Sequence, residues 1–174
     1  MSLASFNAAP RHSAVAAASV WARIPAWAGM LADARPYASV DDAAARADAL
    51  ARAWTSDDLD AALAHHPRIG QRVTTSGAEA DASRAEQASM STASDDVAHA
   101  MSRANAAYEE RFGRVFLIRA AGRTPDEMLA EALRRLGNDD ATETVEALGQ
   151  LREIAVLRLR TALDDPPTDD GMPA

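Results

Sequence analysis

The chain has 174 residues, 48% of them apolar but only 5% aromatic, with a formal net charge of −8 and no cysteine. That is enough apolar sequence for one domain with its own core, and the missing cysteine excludes disulfides, thiolate zinc sites, iron–sulfur clusters and cysteine nucleophiles. The acidic balance argues against nucleic acid, which needs a basic face, and no run of about 18 apolar residues is available for a membrane helix.

Helix signals dominate the chain. Alanine supplies much of the apolar count and favours close-packed helices. Residues 13–33 read as a first helical zone, bent or broken near Pro25. Its "RHSAVAAASVWARIPAW" is interrupted by Arg23 and Pro25, so it reads as a helix of the mature protein rather than a signal peptide. Ser39 is placed to cap a helix running through Trp54. "TSDDLDAALAH" opens on another cap and runs to His65. The small, polar residues 71–82 suggest an exposed connection. "SRAEQASM" restarts a helix, and a longer one through "SDDVAHAMSRANAAYEERFG" stops at Gly113. The one short strand-like run is "VFLI" at 115–118. Thr124 caps the next helix, with Pro125 at its first position and Gly137 as its stop. The last helix runs from about Asp140 to Leu163. The expectation is a single compact all-α domain of about seven or eight helices over residues 1–164, with 165–174 as a flexible tail. "GMPA" carries no peroxisomal address.

Four places could carry chemistry. Two of the four histidines stand together in "HHPRIG". Pro67 disfavours the α conformation at His66, so His66 leaves the helix. It either caps a helix end or projects into a cleft; His65, in the last turn, fits the cap better. Adjacent histidines do not share a helix face and no His-x3-His spacing exists, so no metal site is expected.

In "SRAEQ", Ser83 and Glu86 have the spacing of a capping box. A helix start with free N–H groups is equally able to bind ligand oxygens. On the last helix, Leu148, Leu151, Ile154, Ala155, Leu159 and Ala162 share one face with Arg158. Arg160 falls on the opposite face beside Glu146 and Glu153. An arginine on an apolar face needs a carboxylate from protein or ligand, or must snorkel to the rim. Asn105 shares a face with Val97, Met101, Tyr108 and Phe112. There it needs buried hydrogen-bond partners, such as the backbone of a loop lining the site.

Taken in order, "HHPRIG", "SRAEQ", "NAAYEERFGRVFLIRAAGR" and "EIAVLRLRTAL" resemble the 2-oxo-4-hydroxy-4-carboxy-5-ureidoimidazoline (OHCU) decarboxylases of urate degradation. "ARPYAS" and the Trp27 region match the family's N-terminal pattern, and the likeness runs from about Phe6 to Leu163. The resemblance implies an all-α, cofactor-free, cytoplasmic carboxy-lyase, commonly a homodimer, with a small ureidoimidazoline as substrate and no nucleic-acid or membrane partner. It implies His66, Glu86 and Arg158 as catalytic residues. It assigns substrate binding to Pro67, to Ser83, Arg84, Ala85, Glu86 and Gln87, and to the backbone of Ile118, Arg119, Ala120, Ala121 and Gly122. Asn105 supports the site. No transthyretin-like hydrolase domain is fused, so the preceding step is expected to need another protein.

The implied substrate carries a carboxylate on a ring carbon that also bears a hydroxyl. An adjacent ring C=N takes the electrons released with CO₂, and protonation of the neighbouring carbon gives (S)-allantoin. Arg158 would orient the ring with its planar donor fork, while His66 and Glu86 contact the hydroxyl and handle the proton. Two rivals remain from the residues alone. One is a non-catalytic all-helical ligand-binding or interaction module. The other is a hydrolase or lyase acting on another ureide.

Overall fold

Helix starts follow the capping residues closely. Ser39 accepts from Asp42 N–H at 3.0 Å. Thr55 with Asp58, and Thr124 with Glu127, form complete capping boxes. The computed structural model describes residues 1–64, 68, 69, 90 and 92–164. His65, His66, Pro67, the connection expected at 71–82, the helix restart expected from Ser83 apart from Met90, and the tail 165–174 lie outside the described residues.

Among the described residues there are eight helices and no strand. They are α1 (Leu3–Ala8), α2 (Arg11–Trp21), α3 (Pro25–Asp33), α4 (Val40–Ala51), α5 (Ser56–Leu63), α6 (Asp95–Phe112), α7 (Pro125–Arg135) and α8 (Asp140–Asp164). The all-α expectation is met. The helical zone at 13–33 is indeed broken near Pro25, which stands at the first position of α3. Two boundaries differ from expectation. The helix after Ser39 ends at Ala51 rather than Trp54, and that after Thr55 at Leu63. Helix α1 gives no apolar periodicity over so few residues; Ser2 caps it by accepting from Ser5 N–H at 3.2 Å.

The backbone divides into two units. One comprises residues 1–53 with the end of α8 from Ala155 onward; the other comprises residues 54–154. In the first, Phe6, Trp21, Trp27 and Leu31 are buried among alanines of α2, α3 and α4. Arg35 ties two helix ends together. Its guanidinium donates to the carbonyls of Phe6 and Ala9 at 2.5 and 2.8 Å and of Ala32 at 2.7 Å, and stacks on the Phe6 ring. These are C-terminal carbonyls that the helices themselves leave unpaired. Asn7 and Tyr37 exchange side-chain and backbone hydrogen bonds, and burial pushes the Tyr37 phenol up to about 12.

The second unit packs α6 against α7. Met101, Ala104, Tyr108, Met128 and Ala132 make its core, joined by Ile69, Met90, Phe116, Ile118 and Ala120 from outside the α-helices. Helix α6 ends as expected at Gly113, which takes the left-handed conformation at φ 69°. "VFLI" is buried from Phe116 to Ile118 but pairs with no strand.

Several carboxylates sit below their ordinary value. Glu127 is held down by the Thr124 backbone N–H, Glu131 and Glu146 by Arg134, and Asp139 by the Thr142 backbone N–H. Groups with depressed folded pKa values add stability above their unfolded values and lose it as pH falls through the folded ones. Melting temperature should therefore be flat down to the ordinary glutamate value of 4.5 and fall below it. Glu146→Gln should remove part of that fall, as a pH series of thermal melts would show.

Candidate functional site

Helix α8 places its two arginines differently, as the facing of its apolar residues requires. Leu151, Ile154, Ala155 and Leu159 are buried, and Arg158 among them is only 9% exposed. Its Nη1 donates to the Val20 carbonyl at 3.3 Å. The Arg160 side chain is 42% exposed. Its partner is Asp41 of α4 at 2.5 Å, not Glu146 or Glu153 as the sequence suggests. Those two glutamates pair with Arg134 and Arg119. Helical position identifies which residues share a face, but not which neighbouring helix reaches them.

Asn105 does what its position predicts. On the buried face of α6, it donates from Nδ2 to the Ile69 carbonyl at 2.9 Å, two residues beyond Pro67. Its Oδ1 is buried with no partner among the described residues. Arg68, next to Pro67, forms a two-pronged ion pair with Glu109 of α6, its Nη2 lying 2.6 Å from Oε2. Arg68, Ile69, Met90, Met101, Asn105 and Glu109 line a cavity of about 390 Å³. The chain leaving the His-Pro motif is thus anchored twice to α6.

Residues 115–122 form the second anchored stretch. Its buried backbone has no ladder partner among the described residues, and side chains supply several of its hydrogen bonds. Arg135 Nη1 donates to the Leu117 carbonyl at 2.8 Å. The Arg119 N–H donates to Gln150 Oε1 at 2.8 Å. The Arg119 side chain reaches the Ala121 carbonyl at 3.0 Å and Glu153 at 2.9 Å. The Arg123 N–H donates to the Ala120 carbonyl at 3.0 Å, closing a turn in which Gly122 takes φ 79°. A side chain at 122 would be strained by that φ, though not by crowding.

Arg135 is itself held by a buried ion pair and the hydrogen bonds around it. Its side chain and that of Glu143 are each 1% exposed. Arg135 Nε lies 3.0 and 3.2 Å from the two Glu143 oxygens, and its Nη2 meets Oε1 as well. Tyr108 O–H donates to Glu143, as does Asn138 Nδ2 at 2.8 Å. The guanidinium also lies over the Phe116 ring, 4.8 Å from its centroid. Burial first, then the bond to Glu143, pushes the Tyr108 phenol well above its usual range and keeps it a donor.

Sequence reasoning missed this pair. The facing argument used for Arg158 would have found it. Met128, Ala132 and Arg135 lie on one stripe of α7, and Glu143, Ala147 and Leu151 on one stripe of α8.

The structure therefore brings Asn105 to the segment after Pro67, and places Ile69, Ile118 and Ala120 in one apolar cluster. Pro67, His66, Ser83, Arg84, Ala85, Glu86 and Gln87 lie outside the described residues. Among the described residues no three histidine, aspartate or glutamate side chains gather as a metal site, and no helix is long and apolar enough to cross a membrane.

The sequence model of the OHCU decarboxylase family matches residues 7–160. The chain belongs to the OHCU decarboxylase family. It is 31% identical to the 2-oxo-4-hydroxy-4-carboxy-5-ureidoimidazoline decarboxylase of Amia calva over 148 residues, 84% of this chain and 85% of that one. To the enzyme of that name from Haloferax volcanii it is 32% identical over 127 residues, 72% and 73% of the two chains. The fold is similar to that of a crystal structure of OHCU decarboxylase in the presence of (S)-allantoin, with a TM-score of 0.70 at 24% identity, covering 84% of this chain and 96% of the other. It is also similar to (S)-allantoin synthase, with a TM-score of 0.68 at 17% identity, covering 94% of this chain and 55% of that longer one.

The buried pair makes a direct prediction for this family member. Arg135→Met leaves Glu143 buried without its cation and should cost about 3–5 kcal/mol in urea unfolding, while an apolar replacement of both residues should recover much of the loss.

Proposed function

We propose that this chain converts 2-oxo-4-hydroxy-4-carboxy-5-ureidoimidazoline to (S)-allantoin with loss of CO₂, a carboxy-lyase step of urate catabolism. Membership of the family across residues 7–160 carries this reading, because that span includes His66, Glu86 and Arg158. In the reaction the bond from the ring carbon to the carboxylate breaks. Its electron pair moves toward the adjacent ring C=N, so the substrate supplies its own electron sink. The ring nitrogen and the neighbouring carbon each take a proton while the hydroxyl gives one up, so the step consumes one proton overall and leaves the carbonyl of the product.

Arg158 orients the substrate through a carboxylate or carbonyl. Its placement on the buried stripe of α8 supports this role, since such an arginine must be satisfied by well-placed acceptors. His66 and Glu86 contact the hydroxyl and handle the proton. Pro67, residues 83–87 and the backbone of 118–122 hold the ring and ureido group. Asn105 supports the site by bonding the Ile69 carbonyl. The reading extends to a cofactor-free cytoplasmic homodimer whose catalytic body is residues 1–164. Mass in solution and activity after exhaustive chelation check the dimer and the cofactor.

The test is CO₂ loss from freshly generated substrate, followed by the circular dichroism of the allantoin formed. His66→Ala and Glu86→Gln should each lower kcat by about 10²-fold or more. Arg158→Lys should raise KM while Arg160→Lys leaves both constants within about twofold, because Lys lacks the planar donor fork. Full rate enhancement in His66→Ala would remove that residue from the mechanism.

A further inference from the structure

Ile118 stands between two engaged peptide groups. The Leu117 carbonyl before it accepts from Arg135 at 2.8 Å, and the Arg119 N–H after it donates to Gln150 at 2.8 Å. Both flanking peptides are trans, the one cis bond among the described residues being Arg35–Pro36. In a planar trans peptide the C=O and N–H point in opposite directions. The Ile118 N–H therefore points away from Arg135, and the Ile118 carbonyl points away from Gln150.

Neither Ile118 group has a partner among the described residues, although the residue is only 5% exposed. Buried backbone donors and acceptors are seldom left without one. Neighbouring groups are already used: the Ala120 carbonyl by the Arg123 N–H and the Ala121 carbonyl by Arg119. Within the backbone of 118–122, Ile118 thus presents both a donor and an acceptor. That is the complement of a ureide, which offers a carbonyl and an N–H.

We infer that Gln150 is a positioning residue for substrate recognition: by accepting the Arg119 N–H it turns the Ile118 carbonyl away from α8 and, with Arg135 fixing the preceding peptide, leaves Ile118 to read the ureide of the substrate. This rests on the reading that residues 118–122 hold the ligand. Gln150 is half-buried and outside the Arg135–Glu143 network, so it can be changed without stranding a buried charge.

Gln150→Leu removes the acceptor at similar size, whereas Gln150→Glu keeps an acceptor oxygen. Gln150→Leu should raise KM about five- to tenfold and weaken (S)-allantoin binding by the same factor, with kcat within about twofold of wild type. Gln150→Glu should restore both to within about twofold. Amide hydrogen exchange at Arg119 should quicken in Gln150→Leu and return to the wild-type rate in Gln150→Glu. If Gln150→Leu does not fold, Gln150→Met makes the same test with a more adaptable side chain. An unchanged KM in an apolar variant of an active enzyme overturns the inference alone, as does a Gln150→Glu variant no better than the apolar one. A wild-type chain that neither turns over the substrate nor binds (S)-allantoin overturns the inference together with the functional reading beneath it.

Discussion

A stretch of buried backbone that lies in no helix and pairs with no strand among the described residues constrains the second unit. From Phe116 to Ile118 the chain is almost fully buried. Each amide and carbonyl there must still find a partner, because an unmade hydrogen bond in such a place costs about 1–3 kcal/mol. Helices α7 and α8 supply two partners along it from side chains, Arg135 for the Leu117 carbonyl and Gln150 for the Arg119 N–H just beyond. Arg135 is the most demanding choice, since its charge must be carried into the core. Glu143, Tyr108 and Asn138 make that tolerable by surrounding the pair with hydrogen bonds. An apolar core would tolerate the missing pair better than half of it. The pair thus adds specificity of arrangement more than stability: it dictates where one loop backbone runs.

The first unit solves a related problem at its helix ends. Arg35 reaches the final carbonyls of α1 and α3, and Asn7 and Tyr37 exchange backbone-directed bonds. In both units an arginine fork holds irregular backbone against helices through several carbonyls or carboxylate oxygens at once. Lysine, with a single point charge on a flexible stem, would hold fewer of them.

Much of the helical architecture was legible in the sequence. Ser39, Thr55 and Thr124 cap the helices their positions predict, Pro25 and Pro125 open helices, and Gly113 closes one. Caps are local, so sequence spacing suffices to find them. The facing of α8 separated Arg158 from Arg160, because burial on a helix follows its 3.6-residue period. Asn105 was legible for the same reason. "VFLI" was not: its apolar run resembles a strand because it is buried, yet no partner strand stands among the described residues to form a ladder.

The sequence by itself determined the helical class, most helix limits, the family and which arginine of α8 is buried. All of these depend on short-range spacing, or on motifs matched in order along the chain. Only the tertiary structure decided that Asn105 bonds the Ile69 carbonyl, that Asp41 is the partner of Arg160, that Arg135 and Glu143 meet in the core, and that Gln150 holds the Arg119 amide. Those contacts join residues from different helices or from a helix and a loop. Which long side chain reaches which backbone group is set by how helices pack against one another. Residue spacing along a single helix does not contain that information.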